Sequence, residues 1–458
     1  MLSRARAAVR QGAEAVEFRI DSLAAPSLEE ILMLAQIDAQ TIATFKGDSV
    51  SMLSDGGIRD VLSAFDFIDL DEADVKRLDV APDISGRLIL SHHGHIGSLS
   101  SASAIIAGGL AGAGTVKCIN SGGGYAGSML PLKAAEIAGA DSHRVIAFSM
   151  GEEGKLSRIA SMRRGAPVSY ASTSESDITA PGQLTVKEML AARNGFVLGI
   201  VGSAEATVHS LSPSIHRALL DESGIRGVYL RFPVNAGELP HFFDCARYAG
   251  AVGFNVTMPF KEEALALSDR ADPVAEAIGA VNTIVGIDGE FVGYNTDETA
   301  FSEVLGGMKP ETALLFGSGG AARAAAYSLR GCRVSIAARN KEKRKAIARD
   351  FGLEEYDGSR QDFDLLVNCT PAGMSGNSVV IPGTLRECGY RLVVDFVYPE
   401  SGTPFREIAL AQSSGYVGGI ELLARQAVHS FRLWTGRSTS PEFVLTVLGG
   451  ESGNEIRG

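Results

Sequence analysis

The sequence predicts an α/β protein built largely from parallel sheets, and two observations carry that prediction. Up to about Gln183, short apolar runs with polar ends alternate with alanine-rich helical stretches, the pattern of repeated strand–helix units whose strands lie parallel. Farther along, Leu314-Leu315-Phe316 enters Gly317-Ser318-Gly319-Gly320-Ala321-Ala322 and continues as helix from Arg323 to Leu329, a strand–turn–helix passage typical of doubly wound sheets. The chain has 458 residues, and at about 100 to 200 residues per domain this suggests three folding units.

The first part reads as strands Ala15 to Asp21, Thr41 to Lys46, Phe65 to Asp71, Arg87 to His93, Gly114 to Ile119, Arg144 to Met150 and Pro167 to Ser172. Such a series implies a (β/α) barrel, whose functional side chains gather at the strand C-terminal ends. Glu17, Arg19 and Asp21, Lys46, Asp69 and Asp71, His92 and His93, and Lys117 all fall there. A polar residue at one strand end is unremarkable; the same at most ends of a barrel points to a site. A closed barrel has one strand more. The chain begins inside what reads as the first helix, so the expectation is a barrel lacking its first strand, with a vacancy between the strands ending at Asp21 and Ser172.

Leu184 to Asn194 reads as a helix leading out of the barrel, and a strand from Gly195 to Val201 opens a second α/β unit. The expected division is a barrel with its linker over 1–194, a substrate-binding domain over 195–299, a nucleotide-binding domain over 300–418, and C-terminal helices over 419–458 that return to the second unit. The last of these, Glu421 to Thr435, carries Gln426.

Composition bounds the partners. Charged residues make up 21% of the chain and the net charge is -12, so no basic field favours nucleic acid or an anionic membrane surface, and the expected partners are small molecules. The 5 cysteines are scattered without a CxxC pair, which argues for a reducing compartment, against disulfides and against a metal site. Met1 to Arg10 is rich in Arg and Ala, as a transit peptide is, yet it passes straight into the helix-then-strand pattern; a cytoplasmic location is expected. Sequence alone leaves the oligomeric state open.

The glycine turn carries the first chemistry. Gly317, Gly319 and Gly320 with Ala321 and Ala322 allow a tight turn and close approach of backbone to a pyrophosphate at a helix N-terminus. The next strand, Arg333 to Ala338, ends in Arg339-Asn340, about 20 residues after Gly319, where an NAD enzyme places an acid on the ribose. Arginine there, with Lys343 and Arg344 one turn later, suits a 2′-phosphate, so this Rossmann-type unit is expected to take NADP. Lys261 and Asp297 stand on separate polar loops upstream, a proton donor and its partner beside a hydride source. That is the equipment of a dehydrogenase acting on the hydroxyl of a small polar substrate.

From Gly195 to Leu448 the motifs resemble those of shikimate dehydrogenase, in the family's order: Ser210-Leu211-Ser212-Pro213-Ser214-Ile215-His216, Asn255-Val256-Thr257-Met258-Pro259-Phe260-Lys261, Gly279-Ala280-Val281-Asn282-Thr283, Asn295-Thr296-Asp297, Asn368-Cys369-Thr370-Pro371-Ala372-Gly373-Met374, Asp395 to Tyr398, and Gly419 to Gln426. The resemblance implies that Ser210, Ser212, Thr257, Asn282 and Gln426 hold the hydroxyls and carboxylate of shikimate, that Lys261 shuttles the proton of the reacting hydroxyl beside Asp297, and that Thr370 and Gly419 border the cofactor. Leu422 stands where many relatives carry methionine.

In the barrel, Lys117 at the end of an apolar strand is expected to lose its proton among nonpolar neighbours and attack a carbonyl to form an imine, with a histidine moving the neighbouring proton. Glu17-Phe18-Arg19-Ile20-Asp21, Ser91-His92-His93, Lys117, Ser157-Arg158 and Thr179-Ala180-Pro181-Gly182-Gln183 resemble type I 3-dehydroquinate dehydratase from about Leu2 to Gln183. The resemblance makes Lys117 the Schiff-base lysine and His93 the general acid and base. Arg158, Thr179 and Gln183 would grip the carboxylate and hydroxyls, and Glu17, Arg19 and Lys46 would contact the substrate. Lys46 replaces the family's arginine, Val50 falls where the glutamate that orients the histidine is expected, and Gly94 replaces an aspartate. Asp48 is the expected stand-in for that glutamate.

The two implied activities are consecutive, so a bifunctional enzyme of the shikimate pathway is expected. Three alternatives remain: a barrel that is only structural, a dehydrogenase that takes quinate, and a nucleotide-sensing binding protein. Intact Lys261 and Asp297 argue against the last.

Overall fold

The computed structural model describes every residue other than 55, 79–81, 360–361, 373–380, 399–402 and 450–458. Gly373 and Met374 of the Asn368–Met374 motif therefore lie outside the described residues. The chain divides into two compact units, Met1–Val197 with Arg226–Val228 and Phe232–Ala251, and Leu198–Ile225 with Tyr229–Arg231 and Val252–Gly458. Among the described residues no helix is long and apolar enough to cross a membrane.

In the first unit, β1 (Ala15–Arg19), β2 (Gln40–Phe45), β3 (Phe67–Asp71), β4 (Leu88–Gly94), β5 (Thr115–Asn120) and β6 (Val145–Ser149) form a curled parallel sheet in sequence order. Side chains alternate across the sheet with period two. Val16, Phe18, Ile68 and Leu70 enter one apolar cluster with Phe45, Val61 and Phe65; Ile42, Ile89, Ile119, Ile146 and Phe148 form another. Glu17, Asp69, Asp71, Ser91, His93 and Lys117 have the parity of this second, inner cluster, so the pleat alone gathers them on one face. Ser91 pairs in register with Lys117, and Asp71 with Ser91.

The expected strand Pro167 to Ser172 does not form. Pro167 cannot donate to a ladder, and the segment makes one isolated bridge, Ser172 with Thr185. Val168 and Tyr170 still pack on the inner apolar cluster. The linker helix begins later than expected, at Val186, because Thr185 and Glu188 form a reciprocal capping box there.

The same unit contains the helix Leu239–Tyr248, packed on the helices Gly124–Ser128 and Lys155–Arg163. Tyr125 meets Phe242 edge to face at 5.4 Å and donates its hydroxyl to the Pro233 carbonyl at 3.2 Å. Arg163 donates to the carbonyls of Ala192, Gly195, Ala249 and Gly250 at 2.5 to 3.1 Å.

A second sheet contains β7 (Phe196–Gly202), β8 (Gly227–Pro233), β9 (Gly253–Val256), β10 (Arg270–Ala271), β11 (Thr283–Ile287) and β12 (Glu290–Tyr294), ordered β10-β12-β11-β9-β7-β8. Its β9–β11 and β11–β12 pairs are antiparallel. The third sheet contains β13 (Thr312–Phe316), β14 (Arg333–Ala337), β15 (Glu354–Glu355), β16 (Asp362–Asn368), β17 (Gly389–Asp395) and β18 (Gly415–Val417), all parallel in the order β15-β14-β13-β16-β17-β18. Strand order reverses between β13 and β16. Ligands of such sheets bind in the crevice beyond the strand C-termini at that point, where Gly317 to Gly320 follow β13 and Thr370 follows β16.

Candidate functional site

In the second unit, β9 delivers Asn255 and Val256, and the Thr257 amide continues the pairing by donating to the Val201 carbonyl at 2.9 Å. The chain then turns through a cis Met258–Pro259 bond into the helix Lys261–Leu267. Asp297 sits in the first turn of the helix Thr296–Leu305, whose N-cap is Asn295. Lys261 Nζ lies 2.5 Å from Asp297 Oδ2, and Asn282 Nδ2 donates to Asp297 Oδ1 at 2.8 Å. Asn282 is itself fixed, since its Oδ1 accepts the Thr296 amide at 2.7 Å. Both carboxylate oxygens are thus engaged, and Lys261 has one defined direction of approach.

A cavity of about 200 Å³ brings Ser210, Ser212, Thr257, Lys261, Asn282, Asp297 and Gln426 together with Gly319, Gly320, Ala321, Thr370 and Gly419. The sequence-read substrate and cofactor residues converge here from well-separated stretches of chain. Gly317, Ala322, Arg339, Asn340 and Lys343 are not on this cavity wall. Three further lining residues, His209, Cys369 and Tyr398, had no assigned role; Cys369 and Tyr398 lie inside motifs already read, which was their only signal.

Behind the cavity lies a buried polar network. Tyr229 donates to Asn255 Oδ1 at 2.7 Å, and Asn255 Nδ2 donates to Thr283 Oγ1 at 3.2 Å and Ser430 Oγ at 3.0 Å. Ser430 also meets Thr296 at 3.1 Å. The Tyr229 and Ser430 members have no local signature in the sequence. His216 stacks on Tyr229 at 4.5 Å, and complete burial pushes its pKa down to about 3. It is a neutral core aromatic rather than an acid or base.

The glycine turn fits a dinucleotide. Gly317 has φ +131°, and a Cβ there would stand 2.7 Å from the Cys369 carbonyl. At Gly320 a Cβ would meet Lys261 Cδ at 2.8 Å, so that glycine lets the helix start lie against Lys261. No side chain caps the helix Gly320–Ser328, which leaves its first-turn amides for a phosphate. Ala322 is buried inside that helix. Asn340 accepts from the Lys343 amide at 2.9 Å as the next helix cap. Lys343 Nζ stands 3.8 Å from Glu262, and Arg344 pairs with Glu355 at 2.6 Å. Arg339 is exposed and has no ionic partner among the described residues.

The inner face of the first unit holds a second constellation. Lys117 Nζ is 2.7 Å from Asp69 Oδ2 and 3.6 Å from Glu17 Oε1, and it lies 4.3 Å from the centre of the Tyr170 ring. Burial by itself would lower the Lys117 pKa, but Tyr170, Asp69 and Glu17 outweigh it and hold the ammonium well above the usual lysine range. The expectation of a lysine deprotonated by nonpolar surroundings is therefore corrected: its neighbours are acids. Ser91 Oγ also donates to Asp69, and Thr44 donates to Glu17 at 2.8 Å.

His93 Nδ1 lies 3.3 Å from Asp71 Oδ1 and 3.3 Å from Lys46 Nζ. Asp48 is not its partner: the Asp48 contact in this region is a carbonyl accepting Ser51 Oγ at 2.7 Å. Arg19 forms a bidentate pair with Asp21 at 2.8 and 2.6 Å. Thr179 donates both amide and hydroxyl to Gln183 Oε1 at 3.0 and 3.1 Å. Arg158 is 3% exposed, lies 4.3 Å over the Phe148 ring, and leaves its Nε without a partner. Burial pushes its pKa down to about 10, and an incoming carboxylate would relieve that cost.

Residues 203–284 match the shikimate dehydrogenase substrate binding domain, and residues 127–195 match type I 3-dehydroquinase. The chain is 36% identical over 273 residues to the shikimate dehydrogenase (NADP(+)) of Methanocaldococcus jannaschii, a match that spans 55% of this chain and 95% of that protein. It is 32% identical over 342 residues to the chloroplastic bifunctional 3-dehydroquinate dehydratase/shikimate dehydrogenase of Arabidopsis thaliana, covering 66% of this chain and 55% of the plant protein. Among solved structures, the shikimate 5-dehydrogenase of Thermus thermophilus in complex with NADP(H) and shikimate is 35% identical, with a TM-score of 0.50 over 55% of this chain and 98% of that one. This chain belongs to the shikimate dehydrogenase family and carries, ahead of that part in the same polypeptide, a segment that matches type I 3-dehydroquinase.

Proposed function

We propose that the chain carries out two consecutive steps of the shikimate pathway, dehydrating 3-dehydroquinate to 3-dehydroshikimate and reducing that product to shikimate with NADPH. The observation that carries this reading is the placement of Lys261 between Asp297 and the Gly320 backbone in a cavity lined by hydroxyls and amides. The working division is the one expected from the sequence, 1–194 for dehydration, 195–299 with 419–458 for the second substrate, and 300–418 for NADP. A cytoplasmic setting belongs to the same reading, in keeping with 5 cysteines scattered along the sequence without a CxxC pair.

In the reductive step, NADPH when bound supplies the hydride. Ser210, Ser212, Thr257, Asn282 and Gln426 orient the small polyhydroxy acid, because several neutral donors and acceptors suit hydroxyls and a carboxylate. Lys261 Nζ gives a proton to the carbonyl oxygen as it becomes a hydroxyl, and Asp297 holds the lysine in line for it. Arg339 supplies charge for a 2′-phosphate.

In the dehydration, Lys117 attacks the ketone carbon, passing its proton to the Asp69–Glu17 pair, and water leaves as the imine forms. His93 removes the proton from the adjacent carbon and returns it to the departing hydroxyl; hydrolysis of the imine frees the lysine. Net loss is one water. Arg158, Thr179 and Gln183 hold the carboxylate and hydroxyls, while Glu17, Arg19 and Lys46 line the approach. A second reading, a structural barrel, draws on the buried Val50 at the place of the family's glutamate. Borohydride separates the two: substrate-dependent trapping at Lys117 supports dehydration, and its absence supports the scaffold. For the reductive step, oxidation of NADPH by 3-dehydroshikimate is the test, and no oxidation would refute it.

A further inference from the structure

Resting on the dehydratase reading, we infer that Asp71, and not Asp48 of the loop after β2, is the carboxylate that positions His93. Among the described residues of the loop after β2, Val50 is buried in the apolar core, and the hydrogen bond made by Asp48 there is through its carbonyl, to Ser51. Asp71 ends β3, one strand over from His93 on β4, on the same inner face. It also occupies the N-cap of the short helix Glu72–Val75 without capping it by its side chain. A residue type strongly favoured for capping turns its carboxylate instead to His93 Nδ1 at 3.3 Å and to Lys46 Nζ at 3.2 Å.

Lys46 closes the triangle at 3.3 Å from the same ring nitrogen. Those two neighbours ask opposite things of Nδ1. Asp71 can only accept, so it favours the tautomer with hydrogen on Nδ1 and a lone pair on Nε2, the form that removes a proton. Once Nε2 has taken the proton the ring is an imidazolium with hydrogen on both nitrogens; Asp71 stabilises that cation, while the Lys46 ammonium beside it opposes the charge and so favours return of the Nε2 proton. The pair gives one histidine both roles in a single dehydration, with the carboxylate fixing the base. Asp71 is held as a carboxylate: burial opposes this, but the bonds to His93 and Lys46 outweigh it and place its pKa below the ordinary range.

The experiment compares Asp71→Asn with Asp48→Asn in the full chain, reading dehydration kcat and KM, the borohydride-trapped adduct on Lys117, and NADPH-dependent reduction of 3-dehydroshikimate as a measure of intact protein. Expected for Asp71→Asn is a kcat lower by about two orders of magnitude, KM little changed, a full yield of trapped adduct, and unaltered reduction. Asp48→Asn should keep the parent kcat. The inference is overturned if Asp71→Asn keeps the parent kcat, if Asp48→Asn falls as far, or if Asp71→Asn loses the trapped adduct together with turnover. Failure of the parent chain to trap substrate at all would instead remove the dehydratase reading on which the inference rests.

Discussion

Asp69 Oδ2 lies 2.7 Å from Lys117 Nζ, with Asp69 fully buried and Lys117 6% exposed. Each charge is therefore stabilised by the other. Lys117→Met would strand a buried carboxylate, at a cost of about 3–5 kcal/mol, whereas Lys117→Met with Asp69→Asn should recover most of that loss. Denaturant midpoints of the two variants check this; equal losses would show that the pair is not coupled.

The same pairing sets a pH dependence. The folded pKa of Lys117 is raised above its unfolded value, so its stabilising contribution is complete below the unfolded lysine range and declines only as pH rises toward the folded value. Imine formation needs the free amine and should climb with pH through the alkaline range. In Asp69→Asn the climb should move to lower pH, read from the rate of borohydride trapping at constant substrate.

Lys261→Ala removes the proposed proton donor while leaving the cavity's hydroxyls in place. Its turnover of 3-dehydroshikimate should fall by about two to four orders of magnitude. Near-normal turnover would assign the proton to another group.

In the proposed reading, Arg339 carries the cofactor choice. Arg339→Ala should weaken NADP by roughly 10- to 100-fold, the worth of one charge-assisted contact of about 1.5–3 kcal/mol, and leave NAD nearly unchanged. Michaelis constants for both cofactors in one variant decide it.

Arg163 gathers four carbonyls, from Ala192, Gly195, Ala249 and Gly250. Arg163→Ala should lower the stability of the first unit by about 2 kcal/mol or more, because those acceptors lose a charged donor. A fragment that starts at Gly195 lacks this arginine and also leaves Phe242 without Tyr125, so it should unfold at lower denaturant than the same residues in the whole chain.

What the sequence disclosed follows from how local each feature is. The Asn255–Lys261, Asn295–Asp297 and Gly317–Ala322 stretches each hold their key residues close together along the chain, so their chemistry was readable from spacing. Short apolar runs with polar ends likewise placed Glu17, Asp69, His93 and Lys117 at strand ends. Pairings between strands were not readable. Asp69 and Lys117 are 48 residues apart, and only the register of the strands turns a polar strand end into an ion pair, which is why a nonpolar environment was expected for that lysine. The carboxylate beside His93 was sought in the wrong loop for the same reason. Pro167 to Ser172 has the composition of a strand, but a strand also needs a neighbour to bond along its length.

The most direct test of the whole account supplies the purified chain with 3-dehydroquinate and NADPH and follows both NADPH oxidation and shikimate. The account predicts one shikimate formed for each NADPH consumed, with no added dehydratase. A chain that reduces 3-dehydroshikimate yet forms no shikimate from 3-dehydroquinate would contradict it and leave the first unit without its proposed chemistry.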